Sequence, residues 1–130
     1  SRFLMLGDTI SLGQQIGRKG FLSEENYNCE IKFLDIPNIH AVRDSYNKVK
    51  NFNPYSQDFI EVLGESGWID YLYLILTGAK EMAWNMLNGT NVIVHCSDGW
   101  DRTTQLSSLV QIMIDPYFRT IEGFMVLFEK

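Results

Sequence analysis

The chain has 130 residues, of which 45% are hydrophobic, and a formal net charge of −5 at pH 7. This length and composition predict one globular domain, residues 1–130, with a core of its own. The sequence has no block of like charges, and this with its net negative charge argues against nucleic-acid binding and against a polybasic membrane anchor. No stretch has the ~18 apolar residues needed to span a bilayer, and the N-terminus lacks a signal-peptide pattern.

The predicted elements alternate between strands and helices from the start of the chain. Phe3–Leu6 is an apolar run that predicts a strand, and Glu30–Ile36 predicts a second strand, which Pro37 ends. Asn38 is a favourable N-cap, and apolar residues at helical spacing follow it. The stretch from 11 to 20 favours no particular element.

Two helices are predicted in the middle of the chain. The first covers Gln57–Leu63 and is stopped by Gly64, and the second, capped by Ser66, ends near Leu87. One face of this longest helix is expected to carry Ile69, Leu72, Leu76, Ala79 and Ala83.

The last part of the chain predicts a strand at Val92–Val94, a loop, and a helix from about Thr103 to Ile114. Asp115 and Pro116 break that helix. A final helix carries Ile121, Phe124, Met125 and Phe128. Strands alternating with helices indicate an α/β fold in which helices flank a largely parallel sheet.

The loop after the third strand begins with Cys96 and ends with Arg102, with five residues between them. A loop between a strand and a helix N-terminus binds phosphate, because the first helical N–H groups are unpaired and carry the positive end of the dipole. Such a site lowers a thiol pKa, and the thiolate is the nucleophilic form. The fork of Arg102 can hold two phosphate oxygens.

Three side chains therefore predict chemistry on a phosphate ester. Cys96 is the candidate nucleophile, although a small buried side chain at a strand end is the alternative. Arg102 is the candidate phosphate ligand, with a surface salt bridge as its alternative. Thr103 is placed to donate its hydroxyl to the sulfur.

The string from His95 to Thr103, His-Cys-Ser-Asp-Gly-Trp-Asp-Arg-Thr, resembles the signature of the myotubularin family of phosphoinositide 3-phosphatases. The resemblance continues at 33–40, 43–45, 66–68 and 115–124. It implies a cysteine-phosphatase-like sheet flanked by helices, in an incomplete or reduced catalytic domain. It also implies removal of the 3-phosphate from phosphatidylinositol 3-phosphate or 3,5-bisphosphate through a phosphocysteine, without metal or cofactor.

The resemblance assigns the general-acid role to Asp101, the aspartate just before the arginine. Asp98 either orients the arginine, touches ring hydroxyls or caps its own loop. Ser97 and Trp100 contribute N–H groups to the loop. The Trp100 side chain either forms a wall of the pocket or belongs to the core. Gly99 supplies a backbone angle that other residues avoid. In the family the residue equivalent to Asn38 lies near the bound lipid.

The resemblance further implies a phosphoinositide head group as ligand, peripheral contact with an endosomal-type membrane, and a homo- or heterodimer with other myotubularins. The two cysteines, Cys29 and Cys96, form no disulfide scaffold, which favours the cytoplasm. The chain departs from the family after Asp8 and Thr9, where an expected Arg-Pro pair is replaced. The rival interpretations are a protein tyrosine or dual-specificity phosphatase and a non-catalytic binding partner.

Overall fold

Three short strands pair in parallel in the computed structural model, which describes residues 3–7 and 29–130. They are β1 (Phe3–Gly7), β2 (Cys29–Phe33) and β3 (Asn91–Val94), in the order β2-β1-β3. β1 is central and is parallel to both neighbours. The parallel arrangement follows the prediction from alternating elements.

The carboxyl ends of the strands meet at one edge of this sheet. Gly7 is in register with Phe33, and Leu6 is in register with Val94. The segment after β2 and the loop after β3 therefore leave the sheet from the same edge. Open parallel sheets place their ligands at this edge.

Five α-helices and one 3-10 helix follow in the described residues. They are α1 (Ile39–Lys50), α2 (Phe59–Glu65), α3 (Trp68–Leu87), α4 (Arg102–Ile114), the 3-10 helix η1 (Pro116–Arg119) and α5 (Ile121–Glu129). The predicted ends at Leu87 and Ile114 are confirmed. Asp115 and Pro116 do end α4, and the Asp115 carboxylate accepts a hydrogen bond from the N–H of Tyr117 at 2.9 Å.

The predicted ends of β2 and α2 were wrong. β2 ends at Phe33 rather than Ile36, because Asp35 has a φ of +52°, a left-handed conformation that ends an extended strand. Gly64 lies inside α2 instead of stopping it. A lone glycine costs a helix only about 1 kcal/mol, which neighbouring contacts override.

The caps of α1 and α3 show how local sequence sets helix starts. The Asn38 side chain accepts the N–H of Ala41 at 3.0 Å, as predicted for an N-cap. At α3 the cap position is Gly67, with φ +74°, one residue later than predicted. Ser66 still takes part, because its hydroxyl accepts the N–H of Trp68 at 3.1 Å.

The buried face of α3 differs from the predicted one. Its buried residues are Ile75, Gly78, Ala79, Met82 and Ala83. Of the five residues predicted to share one face, Ala79 and Ala83 are buried, whereas Ile69 and Leu76 are 50% and 48% exposed. Large apolar side chains occupy both sides of this helix, so periodicity alone does not identify the side that packs.

The opposite side of α3 carries a row of exposed apolar side chains, which we call the α3 stripe. Its members follow one another at helical spacing. They are Ile69, Tyr73, Leu76, Trp84 and Leu87.

The core lies where α3 packs on α4. The buried cluster comprises Ile36, Ile75, Ala79, Met82, Ala83, Leu106 and Val110. Burying each large side chain stabilises the fold by about 1.5–3 kcal/mol. At Gly78 a Cβ would lie 2.9 Å from a methyl group of Leu34, so glycine permits the close approach of α3 to this segment. Leu106 and Val110 of α4 belong to this cluster, so the helix that follows the Cys96 loop is held against α3.

Some predictions concern residues outside the described ones. They are the departure from the family pattern after Asp8 and Thr9, and the stretch from 11 to 20. The structure likewise does not describe the side chain of Cys29. Within 3–7 and 29–130, no helix combines the length and apolar character required to cross a membrane.

Candidate active site

The loop His95–Asp101 connects β3 to α4 at the carboxyl edge of the sheet. Cys96 is its second residue and is 7% exposed. The predicted arrangement of a strand, a loop and a helix N-terminus is therefore present, and α4 begins at Arg102, one residue before the predicted start.

The sulfur of Cys96 is surrounded by hydrogen-bond donors rather than by apolar side chains alone. It accepts the N–H of Gly99 at 3.2 Å and the hydroxyl of Thr103 at 3.3 Å. The predicted contact of Thr103 with the sulfur is confirmed. This arrangement favours the thiolate, because both donors point at the sulfur atom that carries its negative charge.

The balance of burial and hydrogen bonding lowers the pKa of Cys96. Burial is the largest single influence and raises the pKa, since it disfavours a charged sulfur. The Thr103 hydroxyl and the backbone N–H groups of Thr103, Gly99 and Asp98 act against it and bring the pKa from its ordinary value of 9.0 to about 7. The thiol is therefore about half ionised near neutral pH.

The source of this lowering differs in one respect from the prediction. The helix N-terminus contributes as expected, through the backbone N–H of Thr103 in the first turn of α4. The charge of Arg102, which was expected to help, is not among the causes of the shift. Direct hydrogen bonds to the sulfur act at shorter range than the guanidinium.

Arg102 turns back across the loop. Its Nη2 donates to the hydroxyl oxygen of Ser97 at 3.1 Å, and the residue is partly buried. Sequence reasoning missed this hydroxyl contact, because Ser97 was expected to contribute its N–H. The contact holds the guanidinium beside the residue that follows the nucleophile.

Gly99 shapes the loop through its backbone. Its φ is +81°, the left-handed conformation predicted for it. No atom lies within 4 Å of the position that a Cβ would take, so glycine is favoured here by the backbone angle alone. The N–H of Gly99 donates to the Cys96 sulfur at 3.2 Å.

Three further side chains of the loop face solvent. Asp98, Trp100 and Asp101 are all exposed, and Trp100 is 79% exposed, which excludes the core aromatic alternative for it. Asp101 occupies the N-cap position of α4 but its side chain makes no capping hydrogen bond. Its carboxylate therefore does not cap α4.

Asn38 starts α1, which follows β2 at the same sheet edge as the loop. Its side chain is exposed and caps α1. The cap role is therefore shown, and a ligand role stays a prediction. His40 lies beside Arg43, with Nδ1 3.2 Å from Nη2.

The chemistry of this arrangement is that of a nucleophile inside an anion site. The structure brings together Cys96, Ser97, Gly99, Arg102 and Thr103. Residues 3–7 and 29–130 contain no group of three His, Cys, Asp or Glu side chains placed to hold a metal ion. Cys96 is a free cysteine.

A family model described as "Myotubularin-like phosphatase domain" matches residues 6–130. The chain belongs to this family. Its similarity to individual myotubularins is spread along the sequence: it is 46% identical to Myotubularin of Xenopus tropicalis over 116 residues, which cover 85% of this chain and 19% of that protein.

Two further relatives carry more specific names. The chain is 39% identical over 140 residues to "Phosphatidylinositol-3-phosphate phosphatase MTMR7" of Mus musculus, covering 100% of this chain and 21% of the relative. It is 45% identical over 117 residues to "Phosphatidylinositol-3,5-bisphosphate 3-phosphatase mtm-1" of Caenorhabditis elegans, covering 86% and 20%. The chain thus spans about a fifth of the length of the myotubularins it matches.

Proposed function

We propose that this chain carries the nucleophile and phosphate loop of a phosphoinositide 3-phosphatase acting on phosphatidylinositol 3-phosphate or 3,5-bisphosphate. The observation that carries the proposal is the Cys96 sulfur, held by Gly99 and Thr103 with a pKa of about 7. The two relatives named for these substrates support the lipid class. The chain then forms the core portion of a larger cysteine-phosphatase-like α/β domain.

The first step is an in-line attack of the Cys96 thiolate on the 3-phosphate phosphorus. A sulfur–phosphorus bond forms, and the bond from phosphorus to the inositol oxygen breaks. Arg102 binds two of the non-bridging oxygens, in place of the Ser97 hydroxyl that it contacts in the free loop. The loop N–H groups bind the third.

The inositol alkoxide is a poor leaving group, so it takes a proton as it departs. Asp101 is the proposed donor. It precedes Arg102 directly, is exposed, and makes no capping hydrogen bond with α4. The carboxylate formed in this step can then accept a proton from water.

The second step hydrolyses the phosphocysteine. Water attacks phosphorus, its proton passes to Asp101, and the sulfur–phosphorus bond breaks to release inorganic phosphate. The Thr103 hydroxyl donates to the departing thiolate, as it does to the sulfur in the free protein. Thr103 thereby lowers the energy of sulfur departure.

The exposed loop residues fit a polyhydroxylated head group. Asp98 presents an exposed carboxylate that can accept hydrogen bonds from ring hydroxyls. We propose that Asn38, at the start of α1 on the same edge of the sheet, also contacts the head group. A phosphotyrosine ring offers no hydroxyl groups of this kind. We further propose a cytoplasmic location, peripheral contact with an endosomal-type membrane, and dimerisation with other myotubularins.

The test compares the 130-residue chain with Cys96→Ser on both inositol lipids and on a phosphotyrosine peptide. Cys29→Ser is the matched control, since it removes the other thiol. We expect phosphate release from the lipids by the parent chain and by Cys29→Ser, and none by Cys96→Ser. Faster release from the peptide would favour a tyrosine phosphatase. Equal, negligible release by all three chains would favour a non-catalytic partner.

The general-acid role has its own test. We expect Asp101→Asn to lose most of its activity on the lipid but little on an aryl phosphate, whose leaving group departs without a proton. Asp58→Asn is the control, since Asp58 is exposed and lies at the N-cap of α2, outside the loop. An equal loss on both substrates would contradict the assignment of Asp101.

A further inference from the structure

Arg102 contacts a neutral acceptor in a loop that also carries two carboxylates. Its Nη2 donates to the Ser97 hydroxyl oxygen at 3.1 Å. Asp98 follows Ser97 in the loop, Asp101 directly precedes Arg102, and both aspartates are exposed. A guanidinium binds a carboxylate more strongly than a hydroxyl, because both partners are then charged. The loop therefore contains two acceptors that compete with Ser97 for the same side chain.

Pairing of Arg102 with either carboxylate would work against the proposed reaction. The guanidinium would have to break a hydrogen bond between two charged groups before it could bind phosphate, and such bonds are roughly twice as strong as neutral ones. A pair with Asp101 would in addition occupy the carboxyl group that is proposed to donate a proton to the leaving alkoxide. A phosphate loop that carries its own aspartates thus needs a group that keeps its arginine away from them.

The Ser97 hydroxyl has the chemistry for this task. It is uncharged, so it holds the guanidinium less strongly than a carboxylate does and is more easily replaced by phosphate. Ser97 directly follows Cys96, so its hydroxyl holds Nη2 of Arg102 close to the residue that attacks phosphorus.

The contact of Ser97 with Arg102 is separate from the contacts that hold the sulfur. The groups that lower the pKa of Cys96 belong to Thr103, Gly99 and Asp98. The hydrogen bonds to the sulfur come from the N–H of Gly99 and the hydroxyl of Thr103. Removal of the Ser97 hydroxyl should therefore change the position of the guanidinium and leave the thiolate as it is.

We propose that the Ser97 hydroxyl is a positioning group that keeps the Arg102 guanidinium away from Asp98 and Asp101 until phosphate replaces it. The inference rests on the proposed function, because Arg102 is the phosphate ligand and Asp101 the proton donor in that reaction. Ser97 acts here through Arg102, in addition to the N–H group that it contributes to the loop.

The first test measures the binding of inorganic phosphate, as protection of Cys96 against iodoacetamide in the folded Cys29→Ser chain. We expect Ser97→Ala to bind phosphate about tenfold more weakly than this parent, and Ser97→Thr, which keeps the hydroxyl, to recover most of the affinity. Ser107→Ala is the matched control, because the Ser107 hydroxyl donates to the Thr104 carbonyl oxygen at 3.2 Å, outside the loop. This control should bind phosphate like the parent.

A double-mutant cycle separates this role from a general disturbance of the loop. Asp98→Asn and Asp101→Asn together remove the competing charges. We expect Ser97→Ala to weaken phosphate binding about tenfold with both aspartates present and less than about twofold with both asparagines present. Equal weakening in the two backgrounds would overturn the proposal, because the carboxylates would then play no part.

Alkylation of Cys96 without phosphate is the second readout. Ser97→Ala should react with iodoacetamide at the parent rate, because the donors to the sulfur are unchanged. A slower reaction would show that Ser97 shapes the sulfur site itself and would overturn the proposal.

The outcomes keep the two proposals distinct, since phosphate binding and alkylation need no turnover. If the cycle is as expected but the chain releases no phosphate from either inositol lipid, the proposed function fails, and Ser97 positions Arg102 for a different phosphate. If phosphate does not protect Cys96 in the parent chain, the role of Ser97 is contradicted directly.

Discussion

The two ends of α4 solve the same physical problem in different ways. Every helix leaves unpaired N–H groups at its start and unpaired carbonyls at its end. At the end of α4, Arg119 donates to the carbonyls of Ile112 and Met113 at 2.7 and 3.2 Å. At the start, the donors of the first turn and the loop converge on the Cys96 sulfur, whose pKa falls to about 7.

The difference teaches what separates a cap from a reactive site. The guanidinium of Arg119 meets carbonyl oxygens that need a donor, so both sides are satisfied and nothing reactive remains. The donors around Cys96 instead favour the charged form of a nucleophile. Arg102 is the first residue of α4, and Arg119, in η1, caps the other end of the same helix. Substitutions at the two arginines should therefore separate catalysis from stability.

The largest expected effect is at Arg102. Arg102→Lys keeps the charge but loses the planar fork, so we expect kcat/KM on the inositol lipid to fall about 10²–10³-fold. Steady-state phosphate release measures this. Arg119→Lys is the matched control and should keep near-parent activity. A comparable loss of kcat/KM in both variants would show that the two ends of α4 do not have separate roles.

The next effect is at Thr103. Thr103→Ala removes a hydroxyl that lowers the pKa of Cys96, so the pKa should rise towards its ordinary value of 9.0. Less thiolate is then present at pH 7, and alkylation of Cys96 by iodoacetamide should slow about three- to tenfold. Thr103→Ser keeps the donor and should react like the parent. An unchanged rate in Thr103→Ala would mean that the backbone N–H groups suffice.

The smallest effect is at Arg119. Arg119→Ala leaves the last carbonyls of α4 to water, and we expect the free energy of unfolding to fall by about 1 kcal/mol in urea titrations. The alkylation rate of Cys96 should stay the same, because the change lies at the far end of α4. A slower Cys96 reaction in this variant would contradict the separation.

Features fixed by neighbouring residues were predictable from the sequence. The strand–loop–helix at Cys96, the conformation of Gly99 and the contact of Thr103 with the sulfur depend on a few adjacent residues. The cap at Asn38 is local in the same sense. Each prediction used one short segment and a rule that operates within one helical turn.

Features set by distant packing were not predictable. The exposed Ile69 and Leu76 show that the buried side of α3 is chosen by its contact with α4, which residues 69–83 alone do not reveal. The contact of Arg102 with the Ser97 hydroxyl depends on side-chain conformations across the loop. The exposure of Trp100 depends likewise on how the whole loop leaves the sheet.

The most direct test of the account is the pH dependence of Cys96 alkylation in the folded Cys29→Ser chain. The rate follows the thiolate fraction, so it should rise with pH through a midpoint at about 7, below the ordinary 9.0. The same chain unfolded in urea supplies the reference. A midpoint near 9 in the folded chain would show that the loop does not stabilise the thiolate and would contradict the account.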